Sequence, residues 1–263
     1  MISKQGQRLT DLDRWRELAG PKRPNQWKIN RSAMECARCW LDVEPPALPP
    51  EIEQALGSHP DFGPVLSWDA EPEVQLKVDD RPGEPRNTDM LILARDARGE
   101  FLVAEEAKAD ERFDLALREV LVNAFEARVA NPRSGAVARA LDLVTTLLGP
   151  RGPGDTKLGA LRYQLFTAAV GALREAEDRK LTRAVLLIHE FVTDATSDVK
   201  HLVNDADLGL WLSRLSRGRY LSVPKNTVVG PIDIPGSPLL SGTARLYVGK
   251  AVRNLRSSTS YDR

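Results

Sequence analysis

The chain reads as an α/β protein with a mixed central sheet flanked by helices, and three observations predict this. The run Ala184–Ile188 inside TRAVLLIHEFV is uninterruptedly apolar and strand-length, which suits a central strand covered on both faces. The stretch MLILARDARGEFLVAE holds two apolar runs around an Arg98-Gly99 turn, the pattern of a β-hairpin. Helical periodicity fills the segments before and after these strands. A chain of 263 residues is long enough for one well-buried domain with additions.

Residues 11–20 and 30–42 have helical patterning. In the second, Asn30 or Ser32 is a suitable cap, and Ala33, Ala37, Trp40 and Leu41 form an apolar stripe. Pro45, Pro46, Pro49 and Pro50 end it, and a short helix from Glu51 to Leu56 follows. EPEVQLKV alternates at Val74, Leu76 and Val78 as a half-exposed strand does, and DDRPGEPRNT is loop by composition. Hairpin strands at about 88–95 and 101–108 come next, then helices over 113–130 and about 136–148. GPRGPGD breaks the chain. A helix from Leu158 to roughly Arg179 leads into the apolar strand, which needs a crossover and lies parallel to an earlier strand. A helix over 197–216 and a Pro/Gly-punctuated tail with short extended pieces complete the chain. The expected organisation is a basic N-terminal extension (1–29), a core (30–192) with a helical insertion at about 112–150, and a C-terminal helix and tail packed on it (193–263).

No apolar run approaches the ~18 residues of a membrane span, and the opening residues lack the apolar centre of a secretory signal. A cytoplasmic protein with no membrane partner is expected. With 37 basic and 37 acidic residues, net charge announces no nucleic-acid partner. Its distribution matters more. Lys4, Arg8, Arg14, Arg16, Lys22, Arg23, Lys28 and Arg31 open the chain, and Arg245, Lys250, Arg253 and Arg256 close it. Both ends suit a polyanion, and both suit solvent.

Several motifs are excluded by what they lack. GPRGPGDTK has no G-K-[ST] ending, so no ATP-binding loop is present. Thr193 stands where a zinc-protease motif after His189-Glu190 needs a second His. Cys36 and Cys39 have C-x-x-C spacing, which invites a zinc or redox reading, but they sit in a helical segment and no second Cys pair completes a structural zinc site. Trp40, Trp68 and Trp211 suit base stacking or, more commonly, core and rim positions.

The hairpin concentrates chemistry. Folding at residues 97–98 brings Asp89 opposite Glu106, with Cβ atoms ~4.5–5.5 Å apart, so both carboxylates reach one cation. Alternation places Lys108 on the face of Glu106, while Glu105 and Ala107 point the other way. Two carboxylates suit Mg²⁺, which takes oxygen ligands and keeps several waters. Arg81, Arg86 and Asn87, in the loop entering the Asp89 strand, are placed to meet phosphate, although turn chemistry also explains Asn87.

Asp89 followed by Glu106-Ala107-Lys108 resembles the PD-(D/E)XK nuclease superfamily, and the element order over about residues 30–192 is similar to its restriction-endonuclease-like αβββαβ core. A bacterial branch with an Arg-Asn-Thr-Asp strand entry (Arg86–Asp89) looks closest. The resemblance implies a Mg²⁺- or Mn²⁺-dependent deoxyribonuclease. Asp89 and Glu106 would bind the metal, Lys108 would position or activate water, and Glu35 on the first core helix would be a further ligand. Gln164 matches a secondary helix motif, but Ala168 stands where that motif has Tyr, and Thr88 stands where the first motif has Pro. The resemblance also implies DNA as substrate, with RNA left open, a homodimer to break a duplex, and a partner protein for specificity. The alternative is a catalytically inactive member of the same fold, acting as a nucleic-acid-binding or scaffolding subunit.

Overall fold

A computed structural model describes residues 1–21, 24–83, 85–150 and 152–257. Lys22 and Arg23 of the basic opening segment lie outside the described residues. In chain order the elements are β1 (Ser3–Lys4), β2 (Gln7–Arg8), α1 (Leu12–Ala19), α2 (Ser32–Leu41), α3 (Pro50–Gly57), β3 (Ser67–Leu76), β4 (Arg86–Asp96), β5 (Gly99–Lys108), α4 (Leu117–Ala130), α5 (Ala136–Leu147), α6 (Tyr163–Asp178), β6 (Arg183–Val192), α7 (Asp198–Leu215), β7 (Thr227–Ile232) and β8 (Arg245–Asn254). No described helix is long and apolar enough to cross a membrane.

Six strands form one mixed sheet in the order β3-β4-β5-β6-β8-β7, with β5, β6 and β8 parallel and the remaining neighbours antiparallel. The expected run α2, β3, β4, β5, helices, β6 is present, and the crossover through α4–α6 sets β6 parallel to β5. Strand alternation splits the core between two faces. Ala184, Leu186 and Ile188 of β6 pack with Phe166 of α6 and Trp211 of α7, while Val185, Leu187 and Phe191 pack with Trp40 of α2 and Ile52 of α3. Helices on both faces are why β6 is apolar at consecutive positions.

Several expectations change. Arg31, not Asn30 or Ser32, is the N-cap of α2, and no side chain caps it. β3 begins at Ser67, and its first half seats Trp68 and Ala70 in the core. The C-terminal segment is not a tail packed on the core. β8 pairs with β6 over ten residues and lies inside the sheet, between β6 and β7. Buried Lys250 disguised it, because its ammonium is matched by Glu190 at 2.9 Å and by Asp205. Trp40, Trp68 and Trp211 are all buried, so none is available to stack on bases; Trp40 and Trp68 instead meet edge-on at 5.3 Å between centroids.

Candidate metal-and-lysine site

The β4–β5 hairpin turns at Ala97 and Arg98, and its register pairs Asp96 with Gly99 and Met90 with Glu105. Gly99 has φ +115°, a backbone conformation that needs glycine. Asp89 and Glu106 are the next residues beyond the last pair. The Ala107 N–H donates to Asp89 Oδ2 at 2.7 Å, which fixes that carboxylate beside β5. Lys108 Nζ donates to Glu106 Oε1 at 2.9 Å, so these two side chains share a face as alternation requires. Glu105 points to the opposite face, where Trp40 Nε1 donates to its Oε2 at 2.9 Å.

Gln164, the second residue of α6, donates through Nε2 to Glu106 Oε1, and its own Oε1 accepts from the Asp114 N–H at 3.3 Å. Arg86, at the start of β4, donates to Glu106 Oε2. Asp89, Glu106, Lys108 and Gln164 therefore converge, with Arg86 bonded to Glu106. Asp89, Glu106, Lys108 and Gln164 also line a cleft of about 1030 Å³ that α1, α2, β3 and the N-terminal Lys4 wall in.

One functional candidate escaped the sequence reading. Glu73 of β3 lines the same cleft, accepts from Asn87 Nδ2 at 3.2 Å, and sits at φ +51°. A non-glycine residue in this left-handed region costs on the order of 1–3 kcal/mol and is characteristic of functional sites. The only signal was an acid at the centre of the EPEV strand. Its register against β4 depends on a long loop, so nothing local placed it beside Asp89.

Electrostatics divide the acids. Burial, then the charge of Glu106, pushes the Asp89 carboxyl well above its ordinary range, despite Lys108. Burial and Glu106 also raise Glu73. Burial opposes the charge on Glu106 too, but Arg86 and Lys108 outweigh it and hold that carboxyl below its usual value. Lys108 is held above the ordinary lysine value: burial works against its charge, and Glu106 and Asp89 prevail. The result is an ionised Glu106–Lys108 pair beside an under-compensated Asp89.

Three expected site residues lie elsewhere or are otherwise engaged. Glu35 does not join the acids. Its Oε1 accepts from the Asn30 N–H at 2.8 Å and it borders a separate cleft beside Arg38 and Arg253. The rotation of α2 explains this, because Cys36 and Trp40 must face the sheet and carry Glu35 away from the hairpin end. Arg81 pairs with Asp79 at 3.2 Å and Asp142 at 2.5 Å, away from the cleft lining. Arg86 is turned inward onto Glu106 rather than toward solvent. Asn87 is exposed and does line the cleft. Much of the basic charge at the two ends is likewise matched internally, as in Lys4–Glu71 at 3.2 Å and Arg253–Glu51 at 3.7 Å.

No curated protein and no solved structure matches the chain. A family model described as a domain of unknown function, DUF6946, matches residues 8–247, a span that takes in the whole cleft floor. By that match the chain belongs to the DUF6946 family.

Proposed function

We propose that the protein is a metal-dependent nuclease of the PD-(D/E)XK type that hydrolyses DNA phosphodiester bonds. The observation that carries this reading is the convergence of Asp89, Glu106 and Lys108 on the floor of one large cleft. The donor set fits a hard cation. Asp89 Oδ2 is tied to a backbone N–H, while among the described residues its Oδ1 accepts no hydrogen bond. Burial and the neighbouring carboxylates push Asp89 and Glu73 up while Arg86 and Lys108 hold Glu106 down, so the acids crowd one another at the cleft floor and a cation joining them would relieve that repulsion. All-oxygen ligands suit Mg²⁺ or Mn²⁺ rather than a thiophilic ion.

When bound, such an ion acidifies a water and neutralises charge on the leaving oxygen. Lys108 holds negative charge on the phosphoryl group or its attacking water; at an effective dielectric of ~20 a charge ~4 Å away contributes ~4 kcal/mol before desolvation. Gln164 orients Glu106 through its amide. Asn87 at the cleft wall supplies a neutral donor to a phosphate oxygen. One such site cuts one strand, so a homodimer is the simplest means of breaking a duplex, and a partner protein would supply specificity. The reading places the enzyme in the cytoplasm.

The test is nicking of supercoiled plasmid with Mn²⁺, with RNA and single-stranded DNA assayed in parallel. Wild type should nick, and Asp89→Asn and Lys108→Met should each lose at least ~10²-fold. Equal cleavage by wild type and Lys108→Met would overturn the assignment.

A second reading, an inactive nuclease-fold subunit that binds nucleic acid or scaffolds, is favoured by one contact: Arg86 occupies the Glu106 oxygen that a metal would need. Removing the guanidinium separates the two. Under the nuclease reading, Arg86→Met binds Mn²⁺ several-fold more tightly by calorimetry, because ion and arginine compete for Glu106. An unchanged affinity would show that Glu106 is not a ligand.

A further inference from the structure

On the sheet face opposite Asp89, three residues distant in sequence meet in the core. Cys39 comes from α2, Glu51 from α3 and His189 from β6. Their donor atoms all lie within 4.8 Å of one another, with Cys39 Sγ 3.4 Å and His189 Nε2 2.9 Å from Glu51 Oε1. A tetrahedral zinc site with Zn–S ~2.3 Å and Zn–N or Zn–O ~2.0–2.1 Å has ligand–ligand edges of about 3.3–3.6 Å. The spacing therefore lies within small side-chain adjustments of a coordination shell. Sulfur, imidazole and carboxylate donors together suit Zn²⁺ and its spectroscopic substitute Co²⁺ rather than Mg²⁺.

We infer that Cys39, Glu51 and His189 bind a Zn²⁺-class ion, independently of the nuclease reading. The outer contacts support it. His189 Nδ1 lies 2.8 Å from Glu105 Oε1, and Glu105 is held in turn by Trp40 Nε1 at 2.9 Å and by Cys36 Sγ at 3.4 Å. A carboxylate on one ring nitrogen fixes the tautomer that presents the other nitrogen to a metal. A separate cleft of about 240 Å³, lined by Cys39, Arg38, Asp42 and Arg253 among others, gives an entry path and room for a water as fourth ligand.

His189 has a carboxylate oxygen at each ring nitrogen, Glu105 at Nδ1 and Glu51 at Nε2, and the buried Cys39 thiol donates to Glu51. A bound divalent ion would stand where Cys39, Glu51 and His189 now contact one another, giving an ion-free and an ion-bound state of the cluster. Arg253, 3.7 Å from Glu51 Oε1, is the neighbouring cation in both states. Cys36, the other half of the C-x-x-C pair, serves Glu105 instead of the ion.

The experiment is a Co²⁺ titration of the chelator-stripped full chain, read by thiolate-to-cobalt charge-transfer absorption. Carboxylate-bound cobalt at Asp89 gives no such band. The expected result is one equivalent, displaced by Zn²⁺, abolished in Cys39→Ser and retained in Cys36→Ser and Asp89→Asn. Glu105→Gln, a positioning residue, should weaken Co²⁺ binding ~10–100-fold without removing the band. No band with folded wild type overturns the inference whatever the variants do. So does a band that survives in folded Cys39→Ser, or one lost in folded Cys36→Ser.

Discussion

At position 89 a carboxylate sits half-buried beside Glu106 and Glu73, where its charge is only partly answered by Lys108. Such a group opposes folding when ionised and assists whatever cation can join it. Asp89→Asn should therefore raise stability in metal-free buffer near neutral pH, by on the order of 1–2 kcal/mol, while abolishing Mn²⁺ binding. Urea denaturation with and without Mn²⁺ checks both halves. A variant less stable than wild type in chelator would show that Asp89 is compensated. Gln164 works by geometry instead: at the start of α6 it joins Glu106 to the Asp114 backbone, so its amide holds the carboxylate without adding charge.

At the scale of elements, the far end of the sheet is pinned by a buried Arg–Asp pair that no motif announced. Arg183, opening β6, donates to both oxygens of Asp96 at 2.7 and 2.8 Å across the closing turn of the β4–β5 hairpin. Its guanidinium also donates to the Asp61 and Gly99 carbonyls and lies 4.8 Å from the Phe101 ring centroid. Burial opposes the Asp96 charge, but Arg183 and the N–H groups of Gly63 and Arg98 win, holding its pKa at about 2. The folded value is depressed, so the stabilisation is present above the unfolded pKa of ~3.9 and disappears as pH falls toward 2. A loss of about 2 kcal/mol across that window is expected in denaturant midpoints, and Asp96→Asn should abolish that share of the pH dependence. The same substitution at pH 7 should cost ~3–5 kcal/mol, because it leaves a buried guanidinium unpaired. Both outcomes bear on the hairpin, whose register positions Asp89 and Glu106.

For the molecule as a whole, the sheet acts as a partition. Glu106 and Lys108 project to one face, and Glu105 and His189 to the other, from adjacent strands. An oxygen-donor group and a sulfur–nitrogen group are thereby kept apart by the thickness of the sheet. Their metal responses should be separable. Thermal melts are expected to rise with Mn²⁺ in wild type and Cys39→Ser but not in Asp89→Asn, and with Zn²⁺ in wild type and Asp89→Asn but not in Cys39→Ser. At a free ion concentration ~100-fold above Kd each shift corresponds to ~2.7 kcal/mol. If either variant loses both shifts, the faces are not independent.

Much of this was legible without coordinates wherever the determinant was local. The hairpin was legible because its turn is two residues long and its strands alternate, so counting outward from Ala97 and Arg98 reaches Asp89 and Glu106. β6 was legible because a strand covered on both faces is apolar at consecutive positions, here Ala184 to Ile188. By contrast β8 hid behind the prolines and glycines before it and behind Lys250, which reads as exposed until Glu190 and Asp205 are seen to neutralise it. Glu35 was misplaced because the rotation of α2 is decided by how Cys36 and Trp40 pack, not by helical period alone. Glu73, Arg86, and the Cys39–Glu51–His189 cluster all depend on which segments become neighbours across long connections. The sequence by itself determined the α/β class, the hairpin register and the pairing of Asp89 with the Glu106–Lys108 face, because turn length and two-residue periodicity are local properties. Only the tertiary structure decided which cations answer those acids and what lies behind the sheet, because burial and ion pairing are settled by the packing of distant segments.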